Sequence, residues 1–263
     1  MVDEPVLLDW RYFFHQNGIA DSACLLARQY LGHCIRSDVS IADFQTRGWR
    51  KAMVAAGPDN VSALGFFTEQ VLLGEIARSG LSALGKGWQE KMSLQVLCDG
   101  IPAFPTVAER CATMYVSTKP SPKGINAFFF KLVSEPGKRG KLKAIVVPTR
   151  ITIAETDLDS EAAFFSTWPE YEGELESLGF ISSVEIIFLW IVEQVPAGHQ
   201  PEETVPRATC ALKGDADHPD FVRRWMRIDE ASTAIGDLLK AARGRPPAAP
   251  VATVPPSGSS SST

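Results

Sequence analysis

Apolar residues recur at three and four spacing through Leu25, Leu26, Tyr30 and Leu31, and again through Phe66, Phe67, Val71, Leu72 and Ile76. That is the stripe of an amphipathic helix. The spacing predicts helix throughout residues 6–84, divided into four helices by Asn17-Gly18, Ser37-Asp38 and Gly57-Pro58-Asp59, each a breaker or cap cluster. After Gly85-Lys86-Gly87 the period changes from helical to alternating. Strands are predicted over 88–98, 113–117, 125–133 and 142–153. The third carries Phe128-Phe129-Phe130, an aromatic run that suits a sheet covered on both faces. Pro148 predicts a bulge or an edge position in the fourth.

Asp159 or Ser160 caps a helix through Phe164, Phe165 and Trp168, with Glu161 in its first turn, where an acid complements the dipole. Pro169 opens a second, acidic helix that Gly179 stops. Residues 183–195 are the most strand-like run and read as a central strand. Residues 195–219 read as loop, 221–228 as a last strand or an early helix, and 230–243 as a helix with Ala231, Ile235, Leu238 and Leu239 on one face. From Gly244 onward only Pro, Ala, Ser, Thr and similar small residues follow, with Arg245 the single charge, a composition that buries too little to order itself. The organisation predicted is a helical N-terminal region over 1–60, a sheet domain over 61–243 and a Pro/Ala/Ser tail over 244–263. The fold class is α/β (α+β), a mixed central sheet flanked by helices.

Composition narrows the function classes. With 263 residues, 45% hydrophobic and 22% charged, the chain can bury a core as one large domain or two small ones. Cys24, Cys34, Cys98, Cys111 and Cys210 are scattered, with no CxxC pair and no His at metal-ligand spacing, which points to a reducing compartment and away from structural zinc. The first residues carry acids and no basic run, so neither a signal peptide nor a membrane span fits, and a cytoplasmic or nuclear location with no membrane partner is expected. GKGWQE lacks the glycine spacing and the Lys-Ser/Thr pair of a phosphate-binding loop. No GxSxG elbow occurs, and His15, His33, His199 and His218 have no evident partner, so each reads as structural or solvent-facing.

A net charge of −5 gives no global attraction to nucleic acid, so such binding needs a local patch. The sequence contains one. Between residues 115 and 152 the bases are Lys119, Lys123, Lys131, Lys138, Arg139, Lys141, Lys143 and Arg150, against Glu135 as the only acid. Between 155 and 176 the pattern inverts, with Glu155, Asp157, Asp159, Glu161, Glu170, Glu172, Glu174 and Glu176 and no base. A basic surface of this kind is what phosphate-backbone binding requires. Mutual pairing of the two zones, or simple solvation, is the competing account.

The order of a helix containing Glu69, a strand, a YVxxxxxxxxINAFFF segment and a strand ending in PTRITIAETDLDSE before an aromatic helix carries a resemblance. It resembles the restriction-endonuclease-like, PD-(D/E)xK module of Crinkler effectors and retrotransposon hot spot proteins, over about residues 64–195. The resemblance implies that Glu69 matches the helix carboxylate and that Asn126 stands where the family has its metal-binding Asp. Arg150 stands where a Gln precedes x-Thr, Thr152 matches that Thr, Asp157 stands at a His position, and Asp159 and Ser160 match an Asp-Ser pair. A nuclease of this type needs anionic oxygens to hold a hard divalent cation. Asn126 offers a neutral carbonyl and Arg150 a fixed positive charge, so both departures weaken cation binding.

The expected protein is therefore a degenerate nuclease-like domain without a cofactor, leaning away from being an enzyme. Its site is Glu69, Asn126, Arg150 and Thr152, and it contacts DNA or RNA through Lys119, Lys123, Lys138, Arg139 and Arg150. Two alternatives stand beside it: a protein-interaction module in which the basic strands are incidental, and an active Mg2+-dependent nuclease using Glu69, Glu155 or Asp157 as substitute ligands.

Overall fold

The computed structural model describes residues 13–16, 19–22, 61–97, 102–105, 112–117, 124–135, 137, 140–153, 159–206 and 218–244. Two short strands, β1 (Phe13–Gln16) and β2 (Ile19–Ser22), pair antiparallel with Gln16 opposite Ile19. This corrects the helical reading of that stretch. Asn-Gly between two short apolar runs is the strongest local hairpin signal there is, and reading it as a helix boundary overlooked that. The rest of 1–60 and the tail after Gly244 lie outside the described residues.

Helix α1 (Val61–Ser79) follows. Leu64, Phe67, Val71, Leu72, Leu73 and Ile76 are all buried, on more than one side, as an α-helix apolar nearly all round must be. Thr68, also buried, donates its hydroxyl to Leu64 O at 2.8 Å and so leaves no unmet polar group. The helix stops earlier than predicted because Gly80 turns left-handed, with φ 72°. There the backbone passes so close to the following segment that a Cβ would fall 2.1 Å from Trp88 O.

The segment after Gly80 forms two 3-10 turns, Ser82–Leu84 and Lys86–Trp88, where helix was expected through Leu84 and a strand from Trp88; the strand begins only at Ser93. Two cations from distant strands hold the segment down by its carbonyls. Arg224 Nη1 donates to Ala83 O at 3.1 Å, and Lys131 Nζ donates to Gly87 O while lying 5.9 Å from the Trp88 ring centre.

The remaining strands form one sheet: β3 (Ser93–Leu97), β4 (Thr113–Ser117), β5 (Ala127–Ser134), β6 (Leu142–Thr152), β7 (Ile181–Val192), β8 (Glu202–Val205) and β9 (Phe221–Arg227). Their order is β3-β4-β5-β6-β7-β9-β8. Strands β4, β5 and β6 make an antiparallel meander, and β6, β7 and β9 run parallel. Helices α2 (Asp159–Phe165) and α3 (Trp168–Ser177) make the crossover from β6 to β7. A four-residue turn, α4 (Ile228–Ala231), and α5 (Thr233–Arg243) close the described chain, split at Ser232 where one continuous helix was predicted. Strand β8 lies in a stretch read as loop, and 221–227 resolves to strand. Pro148 is in an internal strand rather than at an edge. The β6–β7 register has no pair between Val146 and Thr149, and the irregularity falls at Leu142/Lys143 instead.

Each face of the sheet has its own core. On one, α1 and α5 pack against Ala127, Phe129, Val147, Ile151, Ile187, Leu189 and Met226. On the other, Phe164, Phe165, Trp168, Tyr171 and Leu175 of α2 and α3 pack against Phe128, Phe130, Val146, Phe188 and Trp190. The alternation of side chains along β5 thus sends its aromatic run to both layers, as a doubly covered strand requires. Among the described residues no helix is long and apolar enough to cross a membrane.

Candidate functional site

The carboxyl ends of β6, β7 and β9 lie side by side, and in α/β sheets that is where ligand crevices form. Arg150 and Thr152 stand near the end of β6. Because β5 meets β6 antiparallel, with Ala127 opposite Thr149, the start of β5 adjoins the same end. Asn126, at the bend just before β5, reaches across to β6. Its backbone N–H donates to Thr149 O at 2.8 Å, and its Oδ1 accepts from the Ile151 N–H at 2.6 Å and from Arg150 Nη1 at 3.5 Å. The approach is close here also: a Cβ on Gly124, whose φ is 70°, would fall 2.6 Å from the Ser160 backbone at the start of α2.

An amide oxygen has two lone pairs. Both sides of Asn126 Oδ1 are faced by donors, so the atom that would ligate a cation is already engaged. Arg150, half-buried, differs from every other described arginine. Arg78, Arg223, Arg224, Arg227 and Arg243 each have a carboxylate within ion-pair distance, and Arg150 has none among the described residues.

Among the predicted site residues, Asn126 and Arg150 are therefore in contact, with Thr152 two residues further on the same face of β6 as Arg150. That face is the one covered by α2 and α3, because Arg150 and Thr152 alternate with Ile151 and Ile153, which pack beneath α1. Glu69 belongs to α1, over the opposite face, and accepts from Gln70 Nε2 at 2.7 Å. Lys119, Lys123, Lys138, Arg139, Glu155 and Asp157 lie outside the described residues. The rest of the basic zone is dispersed: Lys131 is buried against Gly87 O, Lys141 donates to Gly179 O at 3.0 Å, and Lys143 pairs with Glu185 at 2.7 Å. On α3, Glu170, Glu172, Glu174 and Glu176 are all exposed. Burial, with Glu170 adding to it, pushes the Tyr171 phenol between them up to about 12.

The strongest polar cluster was not foreseen. Glu161 is fully buried and accepts three hydrogen bonds at 2.7 Å, from Trp190 Nε1 and from Nε and Nη2 of Arg223. Arg223 also reaches Glu203 at 3.0 Å. The hydrogen bond to Glu161 holds the guanidinium above its ordinary range, against the opposing effect of burial. In sequence Glu161 looks like any first-turn acid, and its partner is on a strand far along the chain. The only available signal was that a run as apolar as Phe221–Arg227 contains adjacent arginines, which must find acceptors if the strand is covered on both faces. Of the two histidines with described side chains, His218 is buried between Phe165 and Phe221, and His199 lies against Trp225 with ring centres 4.9 Å apart. Among the described residues no three His, Cys, Asp or Glu side chains are grouped to hold a metal ion.

The fold and this strand-end site define a mixed α/β sheet protein with a donor-rich carboxyl edge. No protein family, curated protein or solved structure matches the chain.

Proposed function

We propose that the chain is a degenerate, restriction-endonuclease-like domain that binds nucleic acid, with cutting lost or much reduced. The observation that supports this reading is an element order with a particular pair of residues in it. Helix α1, the β4–β5–β6 meander, the α2–α3 crossover and the parallel strand β7 succeed one another, and Asn126 and Arg150 meet where β5 begins and β6 ends. In a cutting domain of that kind the meeting point holds anionic oxygens around a divalent cation, which activates water and neutralises the phosphate. Here the same point carries an amide and a guanidinium, which favour a phosphate and disfavour a cation.

The test is incubation of the purified chain with single- and double-stranded DNA and RNA, in Mg2+ or Mn2+. The expected outcome is retention that weakens steeply with salt, without cleavage. Cleavage by the purified chain that EDTA abolishes would overturn the loss of catalysis. Absence of retention even at low salt would overturn nucleic-acid binding and leave a protein-interaction module.

A further inference from the structure

We infer that Arg150 and Asn126 form a phosphate site that works without a divalent metal, the guanidinium taking the place of the ion; this rests on the nucleic-acid-binding reading above. Three observations converge. Arg150 is the one described arginine without a carboxylate partner among the described residues, although it sits half-buried among strand ends. Asn126 Oδ1 is oriented by the Ile151 N–H at 2.6 Å, and that bond sets which end of the amide is oxygen. Asn126 Nδ2 then makes no hydrogen bond to any described residue.

The side-chain groups these two residues leave unengaged are consequently all donors: the amide NH2 and the remaining guanidinium N–H groups, since arginine has five and no acceptor. A pair offering only donors repels a cation and fits an oxyanion. The guanidinium fork matches two non-bridging oxygens of one phosphate, a geometry that lysine does not reproduce. The position, at the carboxyl ends of parallel strands, is open to ligand in sheets of this type. The shared chemistry is a phosphate oxyanion, and its source is either a phosphodiester of a nucleic-acid strand or free inorganic phosphate.

The experiment measures binding of a short fluorescein-labelled oligonucleotide by anisotropy, in EDTA and in Mg2+, and the thermal shift produced by inorganic phosphate. The variants are Arg150→Gln, Arg150→Lys and Asn126→Asp, with Lys240→Gln on the far surface as control. Wild type should bind equally in EDTA and Mg2+. Arg150→Gln should weaken binding about tenfold or more, through loss of a charge-assisted contact. Arg150→Lys should recover only part of the loss, and Asn126→Asp should also weaken binding, because its carboxylate pairs with the guanidinium and leaves the Ile151 contact intact. A stability change in Arg150→Gln alone would be set aside by the Asn126→Asp result, which reads the same site through a near-isosteric change. Binding that needs Mg2+, or that Arg150→Gln and Asn126→Asp leave at wild-type strength, overturns the inference and leaves nucleic-acid binding standing. An Arg150-dependent shift with inorganic phosphate and no oligonucleotide binding upholds the site and overturns the nucleic-acid reading. No response to either probe overturns both.

Discussion

Replacing Glu161 with Gln keeps the size of the side chain and removes its charge, and the consequence can be worked from the contacts. The carboxylate is fully buried and takes Nε and Nη2 of Arg223 side by side at 2.7 Å, with the Trp190 indole as third donor. In Glu161→Gln one of those oxygens becomes an NH2 group facing an N–H, so one guanidinium bond is lost and the remaining one loses its anionic acceptor. Arg223 does not escape by losing its proton, since an arginine stays charged at any ordinary pH. It retains Glu203, but that side chain is 46% exposed and its attraction is screened by solvent.

Breaking a buried pair from one side costs about 3–5 kcal/mol. At about 2–4 °C per kcal/mol for a domain of this size, that is a fall in Tm of about 6–20 °C. Thermal unfolding followed by near-UV circular dichroism reads it directly, because Trp190 stacks on Trp225 with ring centres 5.2 Å apart beside the broken pair. The double replacement Glu161→Met with Arg223→Met should recover most of the loss, since apolar groups of similar volume commonly substitute for a buried pair without penalty. A loss below about 1 kcal/mol in Glu161→Gln would refute the reasoning, because that is the range of solvent-exposed pairs.

Two further predictions follow from the backbone and from burial. Gly80→Ala places a Cβ 2.1 Å from Trp88 O at a φ of 72°; displacement of the segment Ser82–Trp88 should add to the conformational strain for a loss of at least about 3 kcal/mol, measured by urea unfolding. Tyr171, pushed up to about 12 by burial and then by Glu170, stays protonated in the fold over a range where the unfolded chain ionises. Its stability contribution is therefore fully present below about pH 10 and is lost as pH rises from about 10 to about 12, by up to about 3 kcal/mol. Unfolding measured across that window should show the decline, and Tyr171→Phe should remove it.

What the sequence disclosed followed the reach of each signal. Strands at 113–117, 142–152 and 181–192 and the crossover helices were legible because apolar alternation, Pro169 and the left-handed Gly179 act within a few residues. The hairpin at 13–22 was misread because its strands are only four residues long, too short for period 2 to outweigh a helical background. Strand β8 was hidden for a similar reason: three of its four residues are exposed, and it pairs only as an edge, through Glu202 opposite Arg224 and Glu203 opposite Arg223. At the site, the grouping of Asn126 with Arg150 came from the resemblance, which also put Glu69 there, although Glu69 lies on α1 over the opposite face. The engagement of Asn126 Oδ1 by Ile151 was not legible, because it depends on a side chain turning back onto a neighbouring strand's backbone.

The basic zone shows why charge density along a chain is a poor guide to charge density on a surface. Successive strand residues point to opposite faces, so bases clustered in sequence are divided between two layers on folding. Lys131 and Lys143 face the α1 side, where one is buried on a carbonyl and the other meets Glu185, while Arg150 faces α2. Net attraction for an anion then depends less on how many bases a segment holds than on which of them the fold leaves without a partner. By that criterion the case for phosphate binding in the described sheet narrows from the four described bases of the segment, Lys131, Lys141, Lys143 and Arg150, to Arg150. This makes it easier to refute, because a single guanidinium can be replaced while both cores of the sheet remain intact.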